Sequence, residues 1–228
     1  AVHEAVEGLK EMPLAEREKR DLMADFEQAW AKVSGKRGGF KTEEEEKDAK
    51  ERGRSMIDRV IKNPGPIARK TVRLPKGSND MLPNFLLSQK DNIILCGLID
   101  WLEYMPEDDS IRIIDFKTGR NDEKEGSLQL PIYLLLLNAL QKRKVSSAAY
   151  WYLDRDDGFV SVPLISISEA QEKVLDVAKK VKEAREKNEF ICPRGNDGCF
   201  TCAPYENIVR GEAEYLGVGG YNQDLYLL

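Results

Sequence analysis

The sequence predicts an α/β or α+β domain built around a small mixed β-sheet. Three observations carry that reading. Helical spacing of apolar residues dominates the first third of the chain. Two pairs of β-rich segments, each joined by a short turn, occupy the middle. Helical stretches alternate with those pairs rather than following them.

The elements follow in order. Val2, Val6 and Leu9, then Leu22, Phe26 and Trp30, recur at helical spacing, with Met12-Pro13 as the break between two helices. Residues 34-SGKRGGF-40 form a glycine-rich basic loop. The stretch 42-TEEEEKDAKERGRSMIDRVIKN-63 opens on a Thr cap and an acidic first turn, and Pro64 and Pro66 stop it. Its acidic run reads as a solvated helix end. Residues 67-IARKTVRL-74 alternate loosely and predict a strand. Residues 91-DNIILCGLIDWLEY-104 and 111-IRIIDFKT-118, joined by 105-MPEDDS-110, predict a hairpin. Residues 127–143 predict a strongly apolar helix. A second hairpin pairs 147-SAAYWYL-153 with 159-FVSVPLI-165 around 154-DRDDG-158. Residues 168–188 predict a charged amphipathic helix capped by Ser168. A Gly/Pro/Cys-rich tail without clear periodicity follows Phe190.

Composition narrows the function classes. The chain has 228 residues, enough to bury a core without covalent staples. Its net charge of −5 argues weakly against a protein that coats nucleic acid nonspecifically. The acidity is local. Residues 91–126 hold ten acids and four bases, whereas residues 35–90 hold fourteen bases and eight acids. One histidine excludes any multi-histidine metal site, and four cysteines do not make a disulfide framework for this length. The longest apolar stretch, 130-LPIYLLLLNAL-140, is about half of what a membrane span needs. No signal peptide is visible, so a cytoplasmic setting without membrane partners is expected. The chain enters a helical pattern directly from Ala1, and it reads as one domain from a longer protein: residues 1–63 as N-terminal helices, 64–190 as the core, 191–228 as a cysteine-containing tail.

Two carboxylates stand in apolar surroundings. Asp100 closes 97-GLID-100 and Asp115 sits in 113-IIDFK-117. A buried carboxylate costs several kcal/mol unless it is paired or holds a cation. Neighbouring strands run about 5 Å apart, so the hairpin brings the two acids close. Like charges that near repel, which raises one pKa or recruits a metal. Period two places Lys117 on the face of Asp115. Asp115 and Lys117 alone suit a structural ion pair equally well. Asp100 in the same hairpin favours a hard cation, Mg²⁺ or Mn²⁺, on oxygen ligands. Gln129 and Tyr133, spaced i, i+4, share one face of the apolar helix.

In this order, Gly97-x-x-Asp100, 113-IIDFKTG-119 and Gln129-x-x-x-Tyr133 resemble the RecB-like branch of the PD-(D/E)XK nucleases. Residues 2-VHEAVEGL-9 are similar to that branch's first helix. The resemblance runs from Val2 to about Tyr205 and implies a restriction-endonuclease-like core, a central mixed β-sheet flanked by helices. It implies His3, Asp100, Asp115 and the backbone carbonyl of Phe116 as metal ligands. It implies Lys117 as the residue that orients water and faces the phosphate, with Gln129 and Tyr133 beside it.

The chain departs from that family in places. Where many relatives carry an acid on the preceding strand, this one has Arg69, Lys70, Arg73 and Lys76 within residues 64–77. These bases suit DNA phosphates or a charged edge strand that resists aggregation. Relatives with an iron–sulfur cluster contribute one upstream cysteine and a C-terminal C-x₂-C-x₅-C. Here Cys199 and Cys202 fit the first pair, Ile208 stands at the third place, and Cys192 lies on the other side. Cys96 reads as a small buried hydrophobe in its strand. The ligand set for an iron–sulfur cluster or zinc is therefore incomplete in this chain.

The function these features imply is a metal-dependent DNA nuclease, an exonuclease acting on ends or single strands in repair or recombination, with a helicase domain or subunit as its expected partner. The alternative is an inactive nuclease-fold module that binds DNA or a helicase. A small metal-binding domain organised by the tail cysteines is a third reading, and the apolar packing around the two acids speaks against it.

Overall fold

A computed structural model describes residues 1–75, 82–192, 194–195, 198–220 and 222–228. Four N-terminal helices come first: α1 (Val2–Gly8), α2 (Leu14–Arg17), α3 (Leu22–Ala31) and α4 (Glu43–Lys62). The predicted Thr42 cap is a full capping box, in which Thr42 accepts from the Glu45 N–H and Glu45 reaches back to the Thr42 N–H. The chain then forms β1 (Asn84–Ser88), β2 (Ile93–Cys96), β3 (Trp101–Met105), β4 (Ser110–Lys117), α5 (Gln129–Leu140), β5 (Val145–Tyr152), β6 (Val160–Val162) and α6 (Ile167–Lys187). The tail forms α7 (Ala203–Arg210), β7 (Glu214–Val218) and β8 (Asp224–Leu227).

The main sheet has the order β3-β4-β5-β6, antiparallel at both sides and parallel in the middle. The parallel pair needs a crossover, and α5 supplies it. This is the mixed sheet flanked by helices that the sequence predicts. One face packs Trp101, Ile114, Phe116, Ala149 and Trp151 against Val6, Phe26, Ile57 and Val60 of the N-terminal helices. The other packs Leu102, Ile113, Ala148 and Tyr150 against Leu130, Tyr133 and Leu137 of α5. Alternation along each strand produces the two faces. On the first face the rings of Trp101, Phe116 and Trp151 follow one another across three strands at 6.0 and 5.9 Å. The other side of α5 packs on α6 and on the β1–β2 hairpin. Being covered on both sides, α5 is apolar almost all round.

Helices α3 and α4 cross closely at Gly53. A β-carbon there would lie 2.7 Å from Cζ of the fully buried Phe26 ring. Gly53→Ala is expected to cost about 1–3 kcal/mol from overpacking, offset in part by about 1 kcal/mol of helix propensity. The expected readout is a melting temperature lowered by a few degrees. An unchanged or raised one would show that the ring gives way.

Several expectations change. Residues 91–104 are not one strand. The chain leaves the sheet at 97–100, β2 pairs with β1, and only β3 joins β4. Asp100 therefore stands at the entrance to a strand, not within it. The segment 67–74 makes a single bridge, Thr71 to Glu103, rather than a strand. Ser166, not Ser168, caps α6 by accepting from the Glu169 N–H. Cys96 is exposed, because period two turns it outward with Ile94 while Ile93 and Leu95 face the core. No helix among the described residues is long and apolar enough to cross a membrane.

Candidate active site

The site gathers at the ends of β3 and β4, beside α1 and the start of α5. The register pairs Trp101 with Ile114, so the next position outward sets Asp100 beside Asp115. The Phe116 N–H donates to Asp100 Oδ2 at 2.9 Å and fixes that carboxylate. From α1, His3 Nδ1 approaches Asp100 Oδ2 at 3.7 Å.

Residue Glu7 completes this group and was not anticipated from the sequence. It lies one turn after His3, with Oε1 3.0 Å from His3 Nδ1. Ligand atoms of His3, Glu7 and Asp100 all lie within 4.8 Å of one another. The i, i+4 spacing from His3 was the available signal. Lys10, 2.9 Å from Glu7 Oε2, also reaches toward the carbonyls of Ile99 and Asp100 at 3.4 Å.

Asp115 stands outside that trio and is held by the residues the sequence singles out. Its Oδ1 accepts from Gln129 Nε2 at 2.7 Å and from the Tyr133 hydroxyl at 3.2 Å. Gln129 Nε2 also donates to the Tyr133 oxygen at 3.0 Å, and Gln129 Oε1 accepts from Lys117. Asp115 Oδ2 is buried and accepts no aligned hydrogen bond. Its neighbour is the Lys117 ammonium, 2.8 Å away. Lys117 also meets Glu123 Oε2 at 2.6 Å and stands over the Tyr150 ring.

The electrostatics follow from that crowding. Burial, then the charges of Asp115 and Glu7, push the Asp100 carboxyl up to about 7, against the pull of His3 and the Phe116 N–H. The Glu7 hydrogen bond raises the His3 imidazole above its ordinary value against the effect of burial. Burial opposes the charge on Lys117, yet Asp115 and Glu123 outweigh it and hold the amine above its usual range. Burial and the Asp115 charge push the Tyr133 phenol up.

The carboxylates suit a hard divalent ion, and the single imidazole is a softer ligand beside them. The buried Asp115 oxygen without an aligned donor, and an Asp100 carboxyl that ionises only against its surroundings, fit the same group.

The basic segment is largely engaged elsewhere. Arg69 and Arg112 pair with the fully buried Glu103 at 2.9 and 3.1 Å. Arg73 donates to the Lys10 carbonyl and meets Glu11. Lys70 is exposed, and Lys76 lies outside the described residues. Far from these acids in sequence, the sulfurs of Cys192, Cys199 and Cys202 lie within 4.8 Å of one another. Hydrogen bonds from Cys202 lower the Cys199 thiol.

Neither the curated proteins nor the solved structures yield a match. The family model described as the PD-(D/E)XK nuclease superfamily matches residues 1–207, nearly the whole chain. The chain belongs to the PD-(D/E)XK nuclease superfamily.

Proposed function

We propose that this chain is a divalent-metal-dependent deoxyribonuclease of the RecB-like branch, working in the cytoplasm as an exonuclease on DNA ends or single strands during repair or recombination. One observation supports it above the others: Asp115 is gripped through one oxygen by Gln129 and Tyr133 and faces Lys117 with the other, beside His3, Glu7 and Asp100.

In this reading His3, Asp100, Asp115 and the Phe116 carbonyl hold the ion, and Glu7 adds a further carboxylate. A bound divalent ion supplies an acidified water and neutralises charge on the phosphate. Lys117 places a fixed positive charge where negative charge develops. Gln129 joins Lys117 to Asp115 and keeps both in register, and Tyr133 does the same for the acid alone. Among the described residues of the basic stretch, Lys70 is the exposed base that remains for backbone phosphates, and a helicase domain or subunit would deliver the strand. The three tail cysteines offer part of a cluster or zinc ligand set and play no role in this chemistry.

The test is cleavage of labelled single- and double-stranded DNA with Mg²⁺, Mn²⁺ or chelator, beside Asp115→Ala and Lys117→Ala. Cleavage is expected only with the ion, and is expected to fall by about 10²–10³-fold in each variant. Degradation in chelator, or variants as active as the parent, would sink the assignment. DNA binding without cleavage in either ion would select the inactive module instead.

A further inference from the structure

The loop 118–128, between β4 and α5, carries an acid into the site. The Glu123 carboxylate lies 2.6 Å from Lys117 Nζ. Lys117 chiefly, with Ser127 and the Lys124 N–H, holds the Glu123 carboxyl below its ordinary value against the effect of burial. The Glu123 N–H donates to the Tyr152 hydroxyl at 3.0 Å. The loop is fastened beside this point as well, by Arg52 on the Thr118 carbonyl and by Arg155 on Asp122. The Glu123 and Lys117 side chains are 25% and 17% exposed, so this is not a loose surface pair.

An ammonium carries three hydrogens and accepts nothing. Three oxygens surround Lys117: Gln129 Oε1 accepts a hydrogen bond from it, and Asp115 Oδ2 and Glu123 Oε2 lie 2.8 and 2.6 Å away as ion pairs. A phosphate oxygen joining them would meet two carboxylates at one ammonium, so one of the three must leave. Asp115 is buried in the sheet, and Gln129 is tied to Asp115 and Tyr133. Glu123 alone stands on a loop. A groove of about 540 Å³ opens behind that loop, between Glu123 and Pro131 on one side and Val162 and Ile165 on the other, and gives it room to swing.

We propose that Glu123 is a resident stand-in for the substrate phosphate. Its carboxylate occupies Lys117 until a phosphodiester oxygen displaces it, and it thereby sets the affinity of the site for nucleic acid. This rests on the nuclease reading above. Glu123 acts through Lys117 and is a positioning residue. Keeping both anions at one ammonium would set like charges side by side, so binding must expel the carboxylate.

The test compares the parent with Glu123→Gln, which keeps the shape and loses the charge. Binding of a fluorescent single-stranded oligodeoxynucleotide is followed by anisotropy at low salt in chelator, and hydrolysis in Mg²⁺. The expected result is Kd and KM both lowered about threefold to tenfold, the scale of one charge contact, with kcat within about twofold. Tyr152→Phe, which removes the hydroxyl that fastens the loop, should shift both constants the same way and more weakly. Unchanged Kd and KM in both variants would overturn the proposal, as would a fall in kcat at constant KM, since Glu123 would then be needed to hold Lys117 in place. A parent protein that neither binds nor cuts overturns the nuclease reading itself.

Discussion

Asp100→Asn is expected to remove metal-dependent cleavage and, at the same time, to stabilise the metal-free protein above pH 7. The two effects share one cause. The Asp100 carboxyl is pushed up to about 7 by burial and by Asp115 and Glu7. Between pH 4 and pH 7 the folded chain therefore holds a proton that the unfolded chain has released. Stability then falls as pH rises through that window, and the loss is complete above about pH 7. Each unit of such a shift is worth about 1.4 kcal/mol, so the carboxylate costs the metal-free site on the order of 4 kcal/mol at pH 8. Asparagine keeps an oxygen for the Phe116 N–H and has no charge to bury. The expected gain is several degrees in melting temperature at pH 8, shrinking towards nothing at pH 4. Cleavage should fall by about 10²–10³-fold or more, the scale of losing one charge-stabilising group. A variant that melts lower than the parent at pH 8, or that still cuts, would show that Asp100 is a structural anchor.

That combination depends on features of unequal legibility. Asp115 and Lys117 could be paired from the period of two in a strand, whereas Gln129 and Tyr133 stood out through the family resemblance, with which their i, i+4 spacing agrees. Asp115 and Lys117 do share a face, and Gln129 and Tyr133 do meet the same carboxylate oxygen. Glu7 obeys the same helical spacing from His3, but an acid on a short, half-exposed helix is ordinary without knowledge of what faces it. Asp100 shows that a residue can be chosen for the wrong local reason. It is not inside a strand, and the irregular stretch at 97–100 that frees it is invisible in a run of β-formers. Glu123 was unreadable, because its contact with Lys117 depends on how the loop 118–128 folds back. The tail shows the same limit. Strands β7 and β8 pair through Tyr215 and Tyr226, but the register shifts between Tyr215 and Gly217 and the periodicity breaks with it. Arg69 illustrates the converse. A base in a basic stretch suggested phosphate contact, and its partner is the buried Glu103.

The ion itself should reverse the pH trend of the empty site. Mn²⁺ or Mg²⁺ is expected to raise the melting temperature strongly at pH 8 and little at pH 5. An ion present at about 100 times its Kd stabilises by about 2.7 kcal/mol, several degrees for a chain of this size. Protons compete for the same groups. The Asp100 carboxyl takes a proton below about pH 7, and His3, raised above its ordinary value by Glu7, takes one in the same direction. Binding at pH 5 must displace both, and each displaced proton weakens the apparent affinity by up to about tenfold per pH unit. Raised folded-state pKa values mean that stability from protonation is present at low pH and lost as pH rises, so the cation and the proton stabilise the same site at opposite ends of the range. Glu7→Gln separates the contributions. It removes the carboxylate that raises His3 and faces Asp100, so the metal-free protein should become less sensitive to pH while the Mn²⁺-induced shift at pH 8 shrinks by the equivalent of about tenfold in affinity. Thermal melts with Mn²⁺ and with chelator at pH 5 and pH 8, on parent and Glu7→Gln, measure all of this. An equal shift at both pH values would place the ion away from Asp100 and His3, and a parent-like shift in Glu7→Gln would remove Glu7 from the ion's surroundings.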